Sequence, residues 1–235
     1  MRVASQRFSS SIGTDVIWLR CVIAILVLGS AGSASTSRTG VIQGRVTIGA
    51  AAARPARPAV ADLGEHRPDA VDRRRAVVYL EDGLRSAFDE LPAGRARMDQ
   101  RGEQFVPRVL AVTVGTKVEF PNTDTTFHNV FSLARVKTFD LGRYPPHRTG
   151  WVTFDRPGIV PVFCDIHSNM SAYILVFNHP FFALTEPDGR YSIARVPPGT
   201  YTLRVWSELG TVEPKHIVVS DGEVAEMNFF VGRGQ

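Results

Sequence analysis

Between two apolar runs, Ile159-Val160-Pro161-Val162-Phe163 and Tyr173-Ile174-Leu175-Val176-Phe177, lies the stretch Cys164-Asp165-Ile166-His167-Ser168-Asn169-Met170. Short runs rich in β-branched and aromatic residues read as strands. A thiol, an imidazole and a thioether are therefore confined to one tight loop. Val160, Val162 and Cys164 share one parity, so the thiol should point inward with the valines. A buried thiol is commonly no more than a small hydrophobe, but His167, three residues on, weakens that reading. A second imidazole, His128, stands upstream within Phe120 to Val130, where a strand is expected to give way to a loop.

Two imidazoles, one thiolate and a weak axial thioether are the ligand set of a blue-copper electron-transfer site. Cys164 would supply the sulfur, His128 and His167 the nitrogens, and Met170 the axial contact to one type 1 copper ion. Asn129, directly after a ligand, would orient the loop or hydrogen-bond the sulfur. Thiolate suits Cu(I) and imidazole suits both oxidation states. A trigonal set with a distant fourth ligand lets the ion change charge with little movement. Taken singly, each histidine would be an ordinary loop residue and Met170 a core side chain; the combination carries the reading. Zinc could use two histidines and a cysteine, but structural zinc normally recruits a stronger fourth ligand than a thioether. A Cys–His hydrolase would need a better-placed base and an oxyanion loop. His147 and His179, both beside prolines, are expected in exposed loops, and His66 and His216 have no assigned role.

The rest of the chain reads as all-β: short apolar runs separated by Gly and Pro, with no long helical period. Residues 1–34 read as a secretion signal, with Arg2, Arg7 and Arg20 before the apolar run from Cys21 to Leu28 and small residues up to Ala34. That run is far short of the ~20 residues a spanning helix needs, so no membrane span is expected after cleavage, and a periplasmic or secreted protein is. Cleavage leaves Cys164 as the lone thiol in an oxidising compartment, a liability that metal ligation would resolve. Residues 1–34 hold three arginines and one aspartate, so without them the net charge falls from +4 to +2. That is too mild and too dispersed for nucleic acid.

Phe105-x-Pro107, the turn at Gly115, Val118-x-Phe120-x-Asn122, His128-Asn129-Val130 and the spacing of Cys164, His167 and Met170 resemble a cupredoxin of the plastocyanin and amicyanin type. The resemblance covers residues 95–178. It implies a Greek-key β-sandwich with copper at one end and one histidine edge reaching an apolar surface. Ile166 departs from the pattern, since such proteins often have proline there. Copper oxidases and nitrite reductases of this fold need further histidines, so an electron carrier, not an enzyme, is expected. Its partner would be a dehydrogenase, cytochrome or oxidase. Similar proteins are associated with methylamine utilisation, which would make the partner an amine-oxidising system.

Thr185-x-x-Asp188-Gly189-x-Tyr191 and Val196-Pro197-Pro198-Gly199-Thr200-Tyr201 resemble a carboxypeptidase-regulatory-like, transthyretin-type β-sandwich. Residues 181–232 lack the first two strands of such a domain, whereas Val41 to Val46 and Ala76 to Leu80 match them. Residues 40–81 are therefore expected to supply those strands, residues 181–232 the remainder, and residues 95–178 to be inserted between them. Residues 49–74 read as a Pro- and Ala-rich linker and 82–94 as a second connection. This second sandwich leaves room for another reading, a copper-holding or structural module of the cell envelope.

Overall fold

A computed structural model describes residues 38–49, 74–81, 94–210 and 212–232. The expected leader, the linker over 50–73 and most of the second connection lie outside the described residues, as do Cys21 and His66. The described residues form strands and no α-helix: β1 (Gly40–Ile48), β2 (Val77–Leu80), β3 (Arg95–Arg97), β4 (Asp99–Gln100), β5 (Phe105–Val106), β6 (Val109–Thr113), β7 (Lys117–Pro121), β8 (His128–Ala134), β9 (Lys137–Tyr144), β10 (Thr149–Thr153), β11 (Gly158–Phe163), β12 (Ser171–Phe177), β13 (Phe182–Leu184), β14 (Arg190–Val196), β15 (Gly199–Trp206), β16 (Lys215–Val219), β17 (Val224–Glu226) and β18 (Phe229–Val231). No helix among the described residues is long and apolar enough to cross a membrane.

The strands divide between two hydrophobic cores. A five-stranded sheet, β6-β12-β11-β8-β9, and a three-stranded sheet, β10-β7-β3, share the first core. The alternation read from the sequence is what fills it: Val118 and Phe120 from β7, Val160 and Val162 from β11, and Ala172, Ile174 and Val176 from β12 are buried, while Lys117 and Glu119 face outward. Cys164 and Met170 belong to this core.

The second core is built by strands from both ends of the described chain. β1 pairs antiparallel with β14 and parallel with β17 and β18. In a neighbouring sheet β2 lies between β13 and β15, with β16 beyond. Ile42, Leu80, Ile193 and Leu203 meet in this core, all buried; burying each such side chain contributes about 1.5–3 kcal/mol. The Leu80 N–H donates to the Phe181 carbonyl at 3.1 Å, so the chain leaves and re-enters this region at adjacent points. A smaller cluster of Val77, Val109, Leu175 and Phe177 joins the two cores.

Three details differ from the sequence reading. Val224 to Val231 reads in the sequence as one last strand, but it is split at Met227-Asn228. There the backbone crosses so close to Gly44 that a Cβ would lie 1.8 Å from the Met227 carbonyl oxygen. The Met227 N–H bonds to the Gln43 carbonyl, and Asn228 Oδ1 accepts from the Arg45 N–H. β9 and β13 are additional strands. His128 opens β8 instead of trailing a strand into a loop.

Candidate metal centre

β11 runs beside β8 in antiparallel register, with Phe163 opposite Phe131. The residue after β11, Cys164, and the residue that opens β8, His128, are thereby brought to the same end of the sheet, and both are buried. The loop from Cys164 to Met170 is closed by its own backbone: the Cys164 N–H donates to the Met170 carbonyl at 3.2 Å and the Met170 N–H to the His167 carbonyl at 3.0 Å. This fold-back turns His167 toward the other two.

The side chains of His128, Cys164 and His167 converge until their ligand atoms all lie within 4.8 Å of one another. His128 Nδ1 and His167 Nδ1 are 3.1 Å apart, and Cys164 Sγ is 4.0 Å from His167 Nδ1. Two nitrogens each about 2 Å from a shared ion stand near this separation, and a thiolate bond of about 2.3 Å reaches the third position. The donor set therefore fits a metal ion, and its softness fits copper. Met170 is buried in the core that contains Cys164.

The surroundings prepare the sulfur to carry charge. Burial pushes the Cys164 thiol up, but hydrogen bonding with His128 and the backbone N–H groups of Asn129, His167 and Ile166 outweighs it and brings the group down to about 6. The Asn129 and Ile166 N–H groups lie 3.5 and 3.4 Å from Sγ. Such donors favour the thiolate, which is the form that binds metal.

Outside the donors stands a ring of groups that orient them. His128 Nε2 lies 3.0 Å from Asp124 Oδ2, an arrangement that places the ring proton on Nε2 and leaves Nδ1 facing the site. Burial lowers the His128 imidazole, but Cys164 and Asp124 together raise it. Burial likewise raises the Asp124 carboxyl, while the Glu103 N–H, His128 and the Thr125 N–H hold it below the ordinary range. The loop bearing Asp124 is shaped by Asn122, whose Oδ1 accepts from the Asp124 N–H and whose Nδ2 donates to the Thr126 carbonyl. Across the site Glu103, in the turn between β4 and β5, places its carboxylate 3.6 Å from His167 Nε2.

Of the expected residues, His128, Cys164 and His167 come together, Met170 lies in the core that contains Cys164, and Asn129 has two contacts. Its backbone N–H points at the sulfur, and its side-chain amide hydrogen-bonds the Asp165 carboxylate on the ligand loop. Arg143 holds Asp165 from outside by a 3.0 Å ion pair. Asp124 and Glu103 leave little trace in the sequence: Asp124 stands four residues before His128, and Glu103 has no local signal. His147 is exposed as expected, but His179 is buried, a correction whose cause is packing against Phe177 and Phe181. At the rim, Phe127 and Ile166, each beside a donor in sequence, are exposed.

No family model matches the chain, and no curated protein matches it. Solved structures that resemble it include a purple cupredoxin from Nitrosopumilus maritimus, 19% identical over 34% of this chain and 98% of that one, with a TM-score of 0.33. A mutant of amicyanin in its reduced state is 22% identical over 42% of this chain and 97% of its own, with a TM-score of 0.33. A copper-containing nitrite reductase from Thermus scotoductus SA-01 is 27% identical over 38% of this chain; the match spans 23% of that enzyme, with a TM-score of 0.33. At these TM-scores the likenesses carry no weight of their own, and the chemistry rests on the side chains.

Proposed function

We propose that the chain is an exported type 1 copper protein that carries single electrons between redox partners. The convergence of His128 Nδ1, His167 Nδ1 and Cys164 Sγ at one strand end is the observation that carries this reading. His128, Cys164 and His167 would hold the ion, with Met170 as axial donor and Asn129 behind the thiolate. Bound there, copper would supply a one-electron couple whose two states share a ligand set. The protein's part is to hold the donors still: Asp124 fixes the His128 ring, the Asn129 and Ile166 N–H groups stabilise the sulfur, and the loop's backbone bonds tie Cys164 to Met170. His167 keeps 18% of its side chain exposed, and with Phe127 and Ile166 it offers the edge at which a dehydrogenase, cytochrome or oxidase would dock.

The same reading makes residues 95–178 a cupredoxin sandwich inserted into a regulatory-like sandwich made of 40–81 and 181–232. The pairing of β1 with β14, β17 and β18, and of β2 with β13 and β15, supports that division. A role as carrier, not catalyst, fits the remaining described histidines: His147, His179 and His216 stand outside the three-donor group. Titrating the purified protein with Cu(II) tests the proposal. One equivalent should give an intense thiolate-to-copper colour that ascorbate bleaches and reoxidation restores. A protein that stays colourless while binding zinc tightly is not an electron carrier, and one that colours but cannot be reduced is a copper-holding module.

A further inference from the structure

The ligand loop ends at Met170, and the next residue, Ser171, is gripped by a side chain that reaches to the other core. Arg108, just before β6, donates from Nη1 to the Ser171 carbonyl at 2.6 Å and from Nη2 to the Ser171 hydroxyl at 3.2 Å. Its opposite edge meets Glu208, in the turn after β15: Nε lies 3.1 Å from both carboxylate oxygens and Nη2 lies 3.0 Å from Oε2. The two side chains are only 11% and 9% exposed, although their residues are 100 positions apart in the chain.

We propose that Arg108 and Glu208 are a positioning pair through which the second core sets the Met170 end of the metal-ligand loop. The inference rests on the copper reading above. Ser171 pairs with Phe163, the residue before Cys164, so the guanidinium holds the base of the loop from which thiolate and thioether both project. An Arg fork is planar and fixed in direction, so it places its partners as a point charge does not. Glu208 in turn fixes the fork. Its own position is secured two residues earlier, where Trp206 packs on Tyr173 with ring centroids 5.0 Å apart, and the Tyr173 N–H donates to the Arg108 carbonyl at 2.9 Å. A pair that only joined the two cores would need the Arg108–Glu208 contact alone. The second fork, onto Ser171, directs it at the site. The second core would thereby acquire a task at the site: it would set the position of the Met170 end of the loop, from which the thioether would reach the ion.

The test compares the full chain with Glu208→Gln, which keeps the side chain's size but removes its charge, and Arg108→Lys, which keeps a cation but cannot span both partners. Each is loaded with one equivalent of copper. Copper affinity should fall about tenfold, the low end for residues behind metal ligands. The reduction potential should rise, as it would on replacing Met170 by leucine, and the copper EPR signal should change. Melting temperature should fall further in the loaded protein than in the metal-free one. Equal losses in both forms, with potential and EPR signal unmoved, would show a pair that merely joins the cores and would overturn the proposal. Arg108→Lys decides the matter if Glu208→Gln does not fold. Failure of the unmodified chain to take up copper is a separate outcome, and it would remove the copper reading together with this one.

Discussion

In the core built by β1, β2 and β13 to β18, buried polar atoms act as staples. Thr185 Oγ1 accepts the Ala76 N–H at 2.9 Å, the Tyr191 hydroxyl donates to the Met227 carbonyl, and the Tyr201 hydroxyl donates to the Pro197 carbonyl, both at 2.7 Å. Each ties one segment to another. In the core built by β3 to β12 four buried polar residues, Gln100, Asn122, His128 and Asn129, lie instead toward one end, where two imidazoles and a thiol face one another. Among the described residues, Asn129 Oδ1 and Gln100 Oε1 there are buried without a hydrogen-bond partner. An orphaned acceptor costs about 1–3 kcal/mol.

Two histidines sharpen the contrast. His179 and His128 are both buried, yet burial lowers the His179 imidazole, with a hydrogen bond to the Leu80 backbone pulling the other way, whereas Cys164 and Asp124 raise His128 against its burial. The His179 Nδ1 accepts the Phe181 N–H at 3.2 Å, as a neutral ring does. The lesson is that a buried histidine is structural or functional according to what faces it. Neither its burial nor its neighbours in sequence decides.

The largest effect expected is at the thiol. Cys164→Ser should abolish the copper colour completely, because a hydroxyl is a poor ligand and the thiolate is the chromophore; a serine variant that still colours would mean that the two cores do not differ as described. Next comes the opposite change. Leu203→Ala in the second core should lower stability by about 2–5 kcal/mol in denaturant unfolding while leaving the position of the visible band unchanged. A shifted band would show that core to shape the metal site directly through its packing.

The smallest effect is a slope. The unfolded imidazole titrates near 6.5, and His179 in the fold titrates below that. Above about 6.5 both states are neutral, and the contribution of His179 is fully present. As the pH falls the unfolded chain takes the proton first, so stability drops, levelling only below the folded value. His179→Gln should remove this part of the slope between neutral and mildly acidic pH in urea melts. An unchanged slope would place His179 in contact with solvent.

Much of this was legible in the chain itself. Alternation marked β7, β11, β12 and β15, and the parity of Val160, Val162 and Cys164 gave the direction of the thiol, because those strands are buried on a continuous face. β9 left a weaker trace: it is a sheet edge whose inward-facing Phe139 and Leu141 pack on the core but are only half-buried, interrupted by charged residues and Gly142. β13 is three residues long, too short to show any period. Around the site, the donors carry their own chemistry and could be named from type and spacing. Glu103 and the Arg108–Glu208 pair could not, since their contacts arise only when segments far apart in sequence fold together. His179 misled for the same reason: Asn178-His179-Pro180 reads locally as an exposed turn, and its burial comes from Phe177, Phe181 and the Leu80 backbone.

On the proposed function, His128, His167 and Cys164 share one ion. X-ray absorption fine structure at the copper edge, on protein loaded with a single equivalent, reads those neighbours directly. Two nitrogen scatterers and one short sulfur bond per copper are expected, the sulfur vanishing in Cys164→Ser. A first shell made only of nitrogen and oxygen in the unmodified protein would contradict the shared site.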